Sequence, residues 1–245
     1  MLIDFNSLRE QYSSVAKGKE SKHTERERFN PSIFRYDYLA LSRLRRDIET
    51  LIGFLPAQDR PKLAIDLGCG QSPYRNLLER RAYQVQTLDT DIASGADYLG
   101  EIEDTKLPSD NFDLVLCTQV LEHCSDPFRG VLEISRILKP GGFAILSVPH
   151  VWFYHPHPSD HWRFTQEGTI KLCKHAGLEP AKLLAQGGSL LSYLQVCNFL
   201  LYGILGTWGA PAYSVLNGFA DVFDHRIKNH LFSLNFACLA QRPPA

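Results

Sequence analysis

The sequence lacks the features of a disulfide-bonded or secreted protein. Its six cysteines are scattered along 245 residues and form no Cys-x-x-Cys pair, which argues against a disulfide framework and a zinc knuckle. No basic segment followed by an apolar stretch opens the chain, so we expect no secretory signal. We therefore expect reduced thiols and a cytoplasmic location.

An excess of charge of one sign is also absent. Lys and Arg number 26 against 27 Asp and Glu, which leaves a net charge of -1. A nucleic-acid-binding protein would carry a basic excess, so we expect no nucleic-acid partner. The hydrophobic share of 44% excludes wholesale disorder, and the length suits one elaborated domain.

One long stretch has no charged residue at all. No Asp, Glu, Lys, Arg or His occurs from Leu183 to Ala220, and Gly206, Gly209 and Pro211 divide the stretch into two helix-like halves. This pattern predicts a helical insertion over about 187–229. Four roles stay open for 186–220: a lid, a homodimer face, a peripheral membrane contact, or plain core packing.

Elsewhere, short apolar runs alternate with helical patterns. Strands are predicted at 62–67, 83–89, 97–100, 112–117, 143–149, 181–185 and 231–240, with helices at 31–55, 73–81, 127–138 and 166–176. Such alternation indicates a parallel sheet covered on both faces. We divide the chain into a charged arm and N-terminal helix over 1–58, and a main domain over 59–245.

The segment AIDLGCGQSPY carries the sharpest signal. A strand ends near Asp66 and enters a helix through Gly68 and Gly70, which let the backbone approach a ligand closely. Pro73 replaces the third glycine of the dinucleotide fingerprint, and an acid before the loop suits an ammonium rather than a pyrophosphate. Asp89 ends the next strand, where a carboxylate can accept both hydroxyls of a ribose.

These features occur with two further blocks, LPSDNFDLVLCTQVLEH (107–123) and EISRILKPGGFAILSVP (133–149). In order and spacing, the four together resemble the class I S-adenosylmethionine-dependent methyltransferases over about residues 60–185. The resemblance implies a Rossmann-like, doubly wound α/β fold with seven strands, the last antiparallel. An N-terminal helical cap and a helical insertion before the last strand would complete it.

The resemblance also implies roles for individual residues. Gly68 and Gly70 would lie against the methionine part of S-adenosylmethionine, with Asp66 near its ammonium, and Asp89 would hold the ribose hydroxyls. In the following segments, Glu101 would bond the adenine amine, Ile102 would cover the adenine ring, and Thr118 and Gln119 would lie beside the methionine arm.

The segment Gln119-Val120-Leu121-Glu122-His123 is similar to the ExxEH segment of ubiquinone-pathway O-methyltransferases, where acids and His hold a divalent cation. Gln119 stands in place of the first acid, and a neutral amide is a poorer ligand for a hard cation. We therefore expect no metal, and assign His123 to proton handling.

The loop HVWFYHPHPSDHWRFT (150–165) is rich in His and aromatic residues. Three interpretations stay open: a metal site, a structural loop in which Asp160 pairs with Arg163 around a buried Trp162, or substrate contact and base catalysis. For catalysis we select His157, oriented by Asp160. Methyltransferases found with bacterial surface-glycan genes have a similar run, which implies a glycan-related substrate.

The predicted reaction is methyl transfer to a small-molecule, glycan or lipid-linked acceptor at a hydroxyl. The alternative is an inactive binding or scaffold protein with the same fold. A nicotinamide oxidoreductase is disfavoured by Asp66 and the missing third glycine, and a nucleic-acid methyltransferase by the neutral charge.

Overall fold

The structure is a computed structural model that describes residues 25–57, 59–156, 158–224 and 231–245. Most of the charged arm, the predicted catalytic residue His157 and the 225–229 end of the predicted insertion lie outside the described residues. The strands are β1 Lys62–Leu67, β2 Tyr83–Asp89, β3 Tyr98–Leu99, β4 Phe112–Thr118, β5 Leu138–Pro149, β6 Glu179–Ala185 and β7 Asn235–Gln241.

Helices connect and cover these strands. They are α1 Glu25–Phe29, α2 Tyr38–Gly53, α3 Arg75–Glu79, α4 Pro127–Ile137, α5 Gln166–His175, α6 Ser189–Leu205 and α7 Ala210–Phe223. Single 3-10 turns occur at Ile92–Ser94, Leu121–His123 and Gly206–Gly209.

The seven strands form one sheet in the order β3-β2-β1-β4-β5-β7-β6. Neighbours from β3 to β5 are parallel, whereas β7 pairs antiparallel with both β5 and β6. This confirms the predicted Rossmann-like sheet with its last strand antiparallel. The strand order reverses between β1 and β4, and ligands of such sheets bind at the carboxyl ends of the strands beside that reversal.

Alternate residues of the central strands face opposite layers of core. Ile65 and Val115 pack with the α4 and α5 side, whereas Ala64 and Leu114 pack with the α2 side. Burial on both faces explains why β1 and β4 are continuous apolar runs. The predicted N-terminal helix forms as α2, and its buried Ile48 packs in the second layer.

Several predicted boundaries move. The run 139–142, predicted as a turn, belongs to β5, because the ladder with β4 already begins at Leu138 and a register shift between Phe112 and Leu114 accommodates it. The last strand begins at Asn235 instead of 231, and α3 covers only Arg75–Glu79. The N-terminal helix begins at Tyr38 rather than 31, after a connecting turn.

The uncharged stretch forms the helical pair α6–α7, which packs on the N-terminal segment. Asn217 donates to the carbonyls of Ile33 and Arg35 at 2.7 and 2.9 Å, and Gln195 donates to the carbonyl of Tyr36 at 2.8 Å. Asp221 of α7 accepts a 2.7 Å bond from the Tyr38 hydroxyl. The N-terminal segment and the insertion therefore form one packed unit.

Candidate functional site

The glycine loop leaves β1 at the carboxyl edge of the sheet. Gly68 and Gly70 adopt φ values of +64° and +53°, which side chains with a Cβ rarely tolerate. A Cβ on Gly68 would lie 2.4 Å from the Val120 side chain, whereas a Cβ on Gly70 would meet nothing within 4 Å. The loop therefore packs against Val120 at Gly68, whereas the backbone at Gly70 is accessible to a ligand.

Asp89, the last residue of β2, is attached to this loop. Its Oδ2 accepts the Gly70 N–H at 2.7 Å, and its Oδ1 accepts the Asp91 N–H at 2.9 Å. Two backbone donors therefore hold the carboxylate beside the glycines. The structure brings together these two sequence-predicted elements of the site.

Asp66 lies beneath the loop and is almost fully buried. Its Oδ2 accepts a 2.7 Å hydrogen bond from the Ser72 hydroxyl. Burial raises the pKa of Asp66 to about 7, against the lowering effects of that bond and of Arg75. A positive group bound nearby would favour its ionised form.

The predicted adenine residues lie on the segment after β3. Glu101 is exposed, whereas Ile102 is buried in the core beside Gly130. Glu133 of α4 accepts hydrogen bonds from the Thr105 backbone N–H at 3.0 Å and hydroxyl at 2.6 Å. The conformation of this segment is therefore stabilised by a side chain from the EISRILKPGG block.

Thr118 and Gln119 follow the end of β4 and are partly buried. Gln119 has a φ of +56°, an unusual conformation for a residue with a side chain. Its N–H donates to the Ser147 carbonyl at 3.0 Å, and its Nε2 donates to the Ser147 hydroxyl at 3.1 Å. Both bonds attach the turn after β4 to β5.

His123 ends the 3-10 turn that follows. Its Nδ1 contacts the Ser159 carbonyl, so Nδ1 carries the proton and Nε2 bears the lone pair. The His155 ring lies edge-on, with 5.0 Å between ring centroids. Burial lowers the pKa of His123, although its bond to Ser159 acts in the opposite direction.

Asp160 joins this group from the 150–165 loop. It forms a bidentate pair with Arg163 and accepts the His155 N–H at 2.9 Å. Burial favours a raised pKa, but the bonds from Arg163 and His155 hold the pKa of Asp160 below its ordinary value. The pairing predicted for a structural loop is present, although Trp162 is partly exposed and donates its indole N–H to the Cys124 carbonyl.

Glu122 belongs to the segment that is similar to ExxEH, but we expected no metal there and assigned it no other role. Its side chain is fully buried, and neither carboxylate oxygen has a hydrogen-bond partner elsewhere in the described chain. Burial raises the pKa of Glu122 to about 8, against lowering by its own backbone and by Arg163. The position of Glu122 next to His123 is visible in the sequence, but the sequence does not show that the Glu122 side chain is buried.

Comparisons with known proteins agree with this geometry. A family model described as a methyltransferase domain matches residues 65–146. The malonyl-[acyl-carrier protein] O-methyltransferase of Serratia marcescens is 30% identical over 121 residues, 45% of this chain and 47% of that protein. The chloroplastic 2-methyl-6-phytyl-1,4-hydroquinone methyltransferase 1 of Oryza sativa subsp. japonica is 31% identical over 113 residues, 44% of this chain and 34% of that protein.

The alignments with these curated relatives span less than half of their length. Among solved structures, the geranyl diphosphate C-methyltransferase from Streptomyces coelicolor, in complex with Mg²⁺, geranyl-S-thiolodiphosphate and S-adenosyl-L-homocysteine, has a TM-score of 0.54 at 16% identity. The structural match covers 82% of this chain and 77% of the geranyl diphosphate C-methyltransferase chain. At 16% identity, this match supports a shared fold alone. Residues 65–146 are therefore similar to a methyltransferase domain, and the strand order and the acid–glycine loop agree with that similarity.

Proposed function

We propose that the protein transfers a methyl group from S-adenosylmethionine to a hydroxyl of a small-molecule, glycan or lipid-linked acceptor. The observation that carries the proposal is the hydrogen bond from Gly70 to Asp89, which holds a carboxylate beside open backbone at the carboxyl edge of the sheet. The O-methyltransferase named among the relatives supports an oxygen acceptor.

The residues present fit the cofactor. Gly70 leaves room for a ligand against the backbone, Asp89 offers oxygens for ribose hydroxyls, and buried Asp66 offers a carboxylate for an ammonium. We assign the methionine part to Asp66, Gly68 and Gly70, with Thr118 and Gln119 alongside. The adenine is assigned to Glu101 and Ile102. When bound, the cofactor supplies an activated methyl group on a sulfonium.

Proton removal is assigned to His123. Its Nδ1 is engaged by the Ser159 carbonyl, so Nε2 can take a proton from an acceptor hydroxyl. Asp160 acts as a positioning residue, since its bonds to the His155 N–H and to Arg163 set the shape of the loop beside His123. His157, outside the described residues, remains a second candidate base.

We further propose that α6–α7 rests on a membrane, which suits a lipid-linked acceptor. The polar side chains Gln195, Asn198 and Asn217 are fully buried, and Asn198 donates to Asn217 at 2.8 Å. The exposed side chains are instead largely apolar: Tyr193, Leu200, Ile204, Leu205, Trp208, Val215, Phe219 and Val222. This distribution is the reverse of an ordinary surface helix.

Length and composition allow the same reading. By length and composition alone, Ser189–Phe223 is apolar enough to cross a membrane, and only 22% of its most apolar part is buried. The helices have 17 and 14 residues, and about 20 are needed to cross a bilayer, so an interfacial contact fits better than a span.

Vesicle flotation tests the membrane contact. We expect the wild-type protein to float with vesicles, and the triple variant Ile204→Ser, Trp208→Ser, Val215→Ser to stay in solution. Sedimentation of both proteins without vesicles provides the control. If the wild type does not float but forms a stable dimer, and the triple variant is monomeric, the surface is a homodimer face instead.

Calorimetric titration tests the cofactor assignment. We expect micromolar binding of S-adenosylmethionine and S-adenosylhomocysteine and no binding of NADH. With labelled S-adenosylmethionine and a lipid and glycan extract, the wild type should produce labelled product, and His123→Ala should lose at least 100-fold in rate. Binding without transfer to any acceptor would instead favour the scaffold alternative.

We also propose a reducing, cytoplasmic location. All six cysteines are free, and five of them are buried. Free thiols are typical of reducing compartments.

A further inference from the structure

We propose that Glu122, His123 and His155 form a binding site for a borderline transition-metal dication such as Zn²⁺ or Co²⁺. One ligand atom from each of the three residues lies within 4.8 Å of the others. Glu122 and His123 come from the turn after β4, and His155 comes from the loop after β5. From the sequence we expected no metal because Gln119 replaces an acid, and the order of residues along the chain does not reveal that His155 lies beside Glu122 and His123.

The distance between two of the ligand atoms suits such an ion. His123 Nε2 lies 3.8 Å from Glu122 Oε1. Two ligands of a tetrahedral Zn²⁺, each about 2.1 Å from the metal, are about 3.4 Å apart. A shift of a few tenths of an ångström would therefore bring this pair into ligating geometry.

The surroundings of the two imidazoles match the requirements of metal ligands. The Nδ1 of His123 contacts the Ser159 carbonyl, and that of His155 lies 3.0 Å from the Phe153 carbonyl. Ligating histidines commonly donate their second nitrogen to a backbone carbonyl, which fixes the tautomer and the ring orientation.

Glu122 supplies an independent indication of a ligand. Its carboxylate is fully buried within the cluster, without a hydrogen-bond partner elsewhere in the described chain. Leaving a carboxyl group buried in this way is costly, and a bound cation would remove that cost. The nearby cation Arg163 is neutralised by its bidentate pair with Asp160, so it does not prevent binding.

The donor set indicates the class of metal. Two imidazole nitrogens and one carboxylate oxygen suit Zn²⁺, Co²⁺ or Fe²⁺, whereas Mg²⁺ prefers oxygen ligands. Three protein ligands leave at least one position for another ligand. If the proposed methyl transfer holds, that ligand would be the acceptor hydroxyl, whose pKa the ion would lower. His123 would then be a metal ligand, and proton removal would pass to the second candidate base, His157.

Cobalt spectroscopy tests the site without relying on activity. After treatment with a chelator, the full-length protein is titrated with Co²⁺, and visible absorption is followed. We expect one Co²⁺ per chain, displaced by Zn²⁺ and unaffected by millimolar Mg²⁺. The Kd should rise at least 100-fold in Glu122→Gln and His155→Ala, and remain unchanged in His175→Ala, which alters an exposed histidine on α5.

Thermal unfolding of each variant verifies that it is folded. Co²⁺ binding that is absent, or equally tight in Glu122→Gln and His155→Ala, would overturn the site. Because the experiment measures binding of Co²⁺ alone, it tests the metal site independently of methyl transfer. Metal binding in a protein that does not bind S-adenosylmethionine would refute the proposed function and leave the site intact.

Discussion

The carboxylate of Asp89 accepts the Gly70 N–H at 2.7 Å, so the end of β2 and the glycine loop after β1 are joined directly. One side chain therefore has two functions. It stabilises the loop that would hold the methionine part of the cofactor, and it offers oxygen lone pairs to the ribose.

Replacing Asp89 should separate these functions. We expect Asp89→Ala to weaken S-adenosylhomocysteine binding by about 100-fold, because charge-assisted hydrogen bonds contribute roughly 1.5–3 kcal/mol. Asp89→Asn can still accept the Gly70 N–H and should lose about tenfold. The control is Asp91→Ala, which removes only the cap of the Ile92–Ser94 turn. Calorimetry measures each Kd, and equal affinities for wild type and Asp89→Ala would contradict the assignment.

Asp66 should make cofactor binding depend on pH. Burial raises the pKa of Asp66 to about 7, so the Asp66 carboxyl group of the cofactor-free protein is protonated below that pH. A bound ammonium favours the ionised carboxylate, and binding below pH 7 must therefore release a proton. We expect the affinity for S-adenosylhomocysteine to fall by roughly tenfold from pH 6.5 to pH 5.5.

The Asp66→Asn variant provides the comparison for that titration. It should bind more weakly at pH 7, because the amide lacks the charge, and its affinity should change little between pH 5.5 and 6.5. The same pH dependence in both proteins would show that another group titrates.

Much of the fold was predictable from the sequence because the central strands are buried on both faces. Apolar runs identified β1 and β4, and alternating apolar and polar residues identified β2. The order of these strands predicted the edge of the sheet at which Asp66 and Asp89 meet. The start of β5 was not predictable, since Pro140, Gly141 and Gly142 normally end an element, and only pairing with β4 keeps them in the strand.

The cluster around His123 was less accessible to sequence reasoning. His155 is 32 positions away, and its approach depends on the path of the 150–165 loop. That loop is attached to the turn by long-range bonds, including those from the His161 N–H to the Glu122 carbonyl and from Ser159 to the His123 carbonyl. No local periodicity encodes such contacts.

Gly68 and Gly70 should respond differently to an added methyl group. Gly68→Ala places a Cβ against Val120 at a positive φ, and we expect it to lower the free energy of unfolding by about 2–4 kcal/mol. Gly70 also has a positive φ, but an added Cβ would lie in open space. We therefore expect Gly70→Ala to lower the free energy of unfolding by only about 1–2 kcal/mol. Urea unfolding without cofactor measures both.

A second-site change isolates the steric part. In a Val120→Ala background, Gly68→Ala should lower the free energy of unfolding by only about 1–2 kcal/mol, because the two shortest contacts, with the Val120 methyl groups, are removed and the backbone strain remains. Strict additivity of the two substitutions would mean that Val120 is not the obstacle.

Asp47 on α2 should make folding stability depend on pH. Burial raises the pKa of Asp47 to about 7, despite Arg43 and Arg46, and its Oδ2 is buried without a hydrogen bond from the described residues. The folded state thus binds more protons than the unfolded state between about pH 4 and 7. Its contribution to stability is present below pH 4 and is lost as the pH rises to 7.

Removing the ionisable group should therefore stabilise the protein at high pH. We expect the gain in unfolding free energy from Asp47→Asn to be about 2 kcal/mol larger at pH 8 than at pH 5, as measured by urea unfolding. The exposed neighbour Glu49 provides the matched control, since Glu49→Gln should produce no such pH-dependent gain. A gain from Asp47→Asn that is equal at the two pH values would mean that Asp47 is already ionised at pH 5 in the folded protein, because only a proton held by the native state can make the effect of this substitution depend on pH.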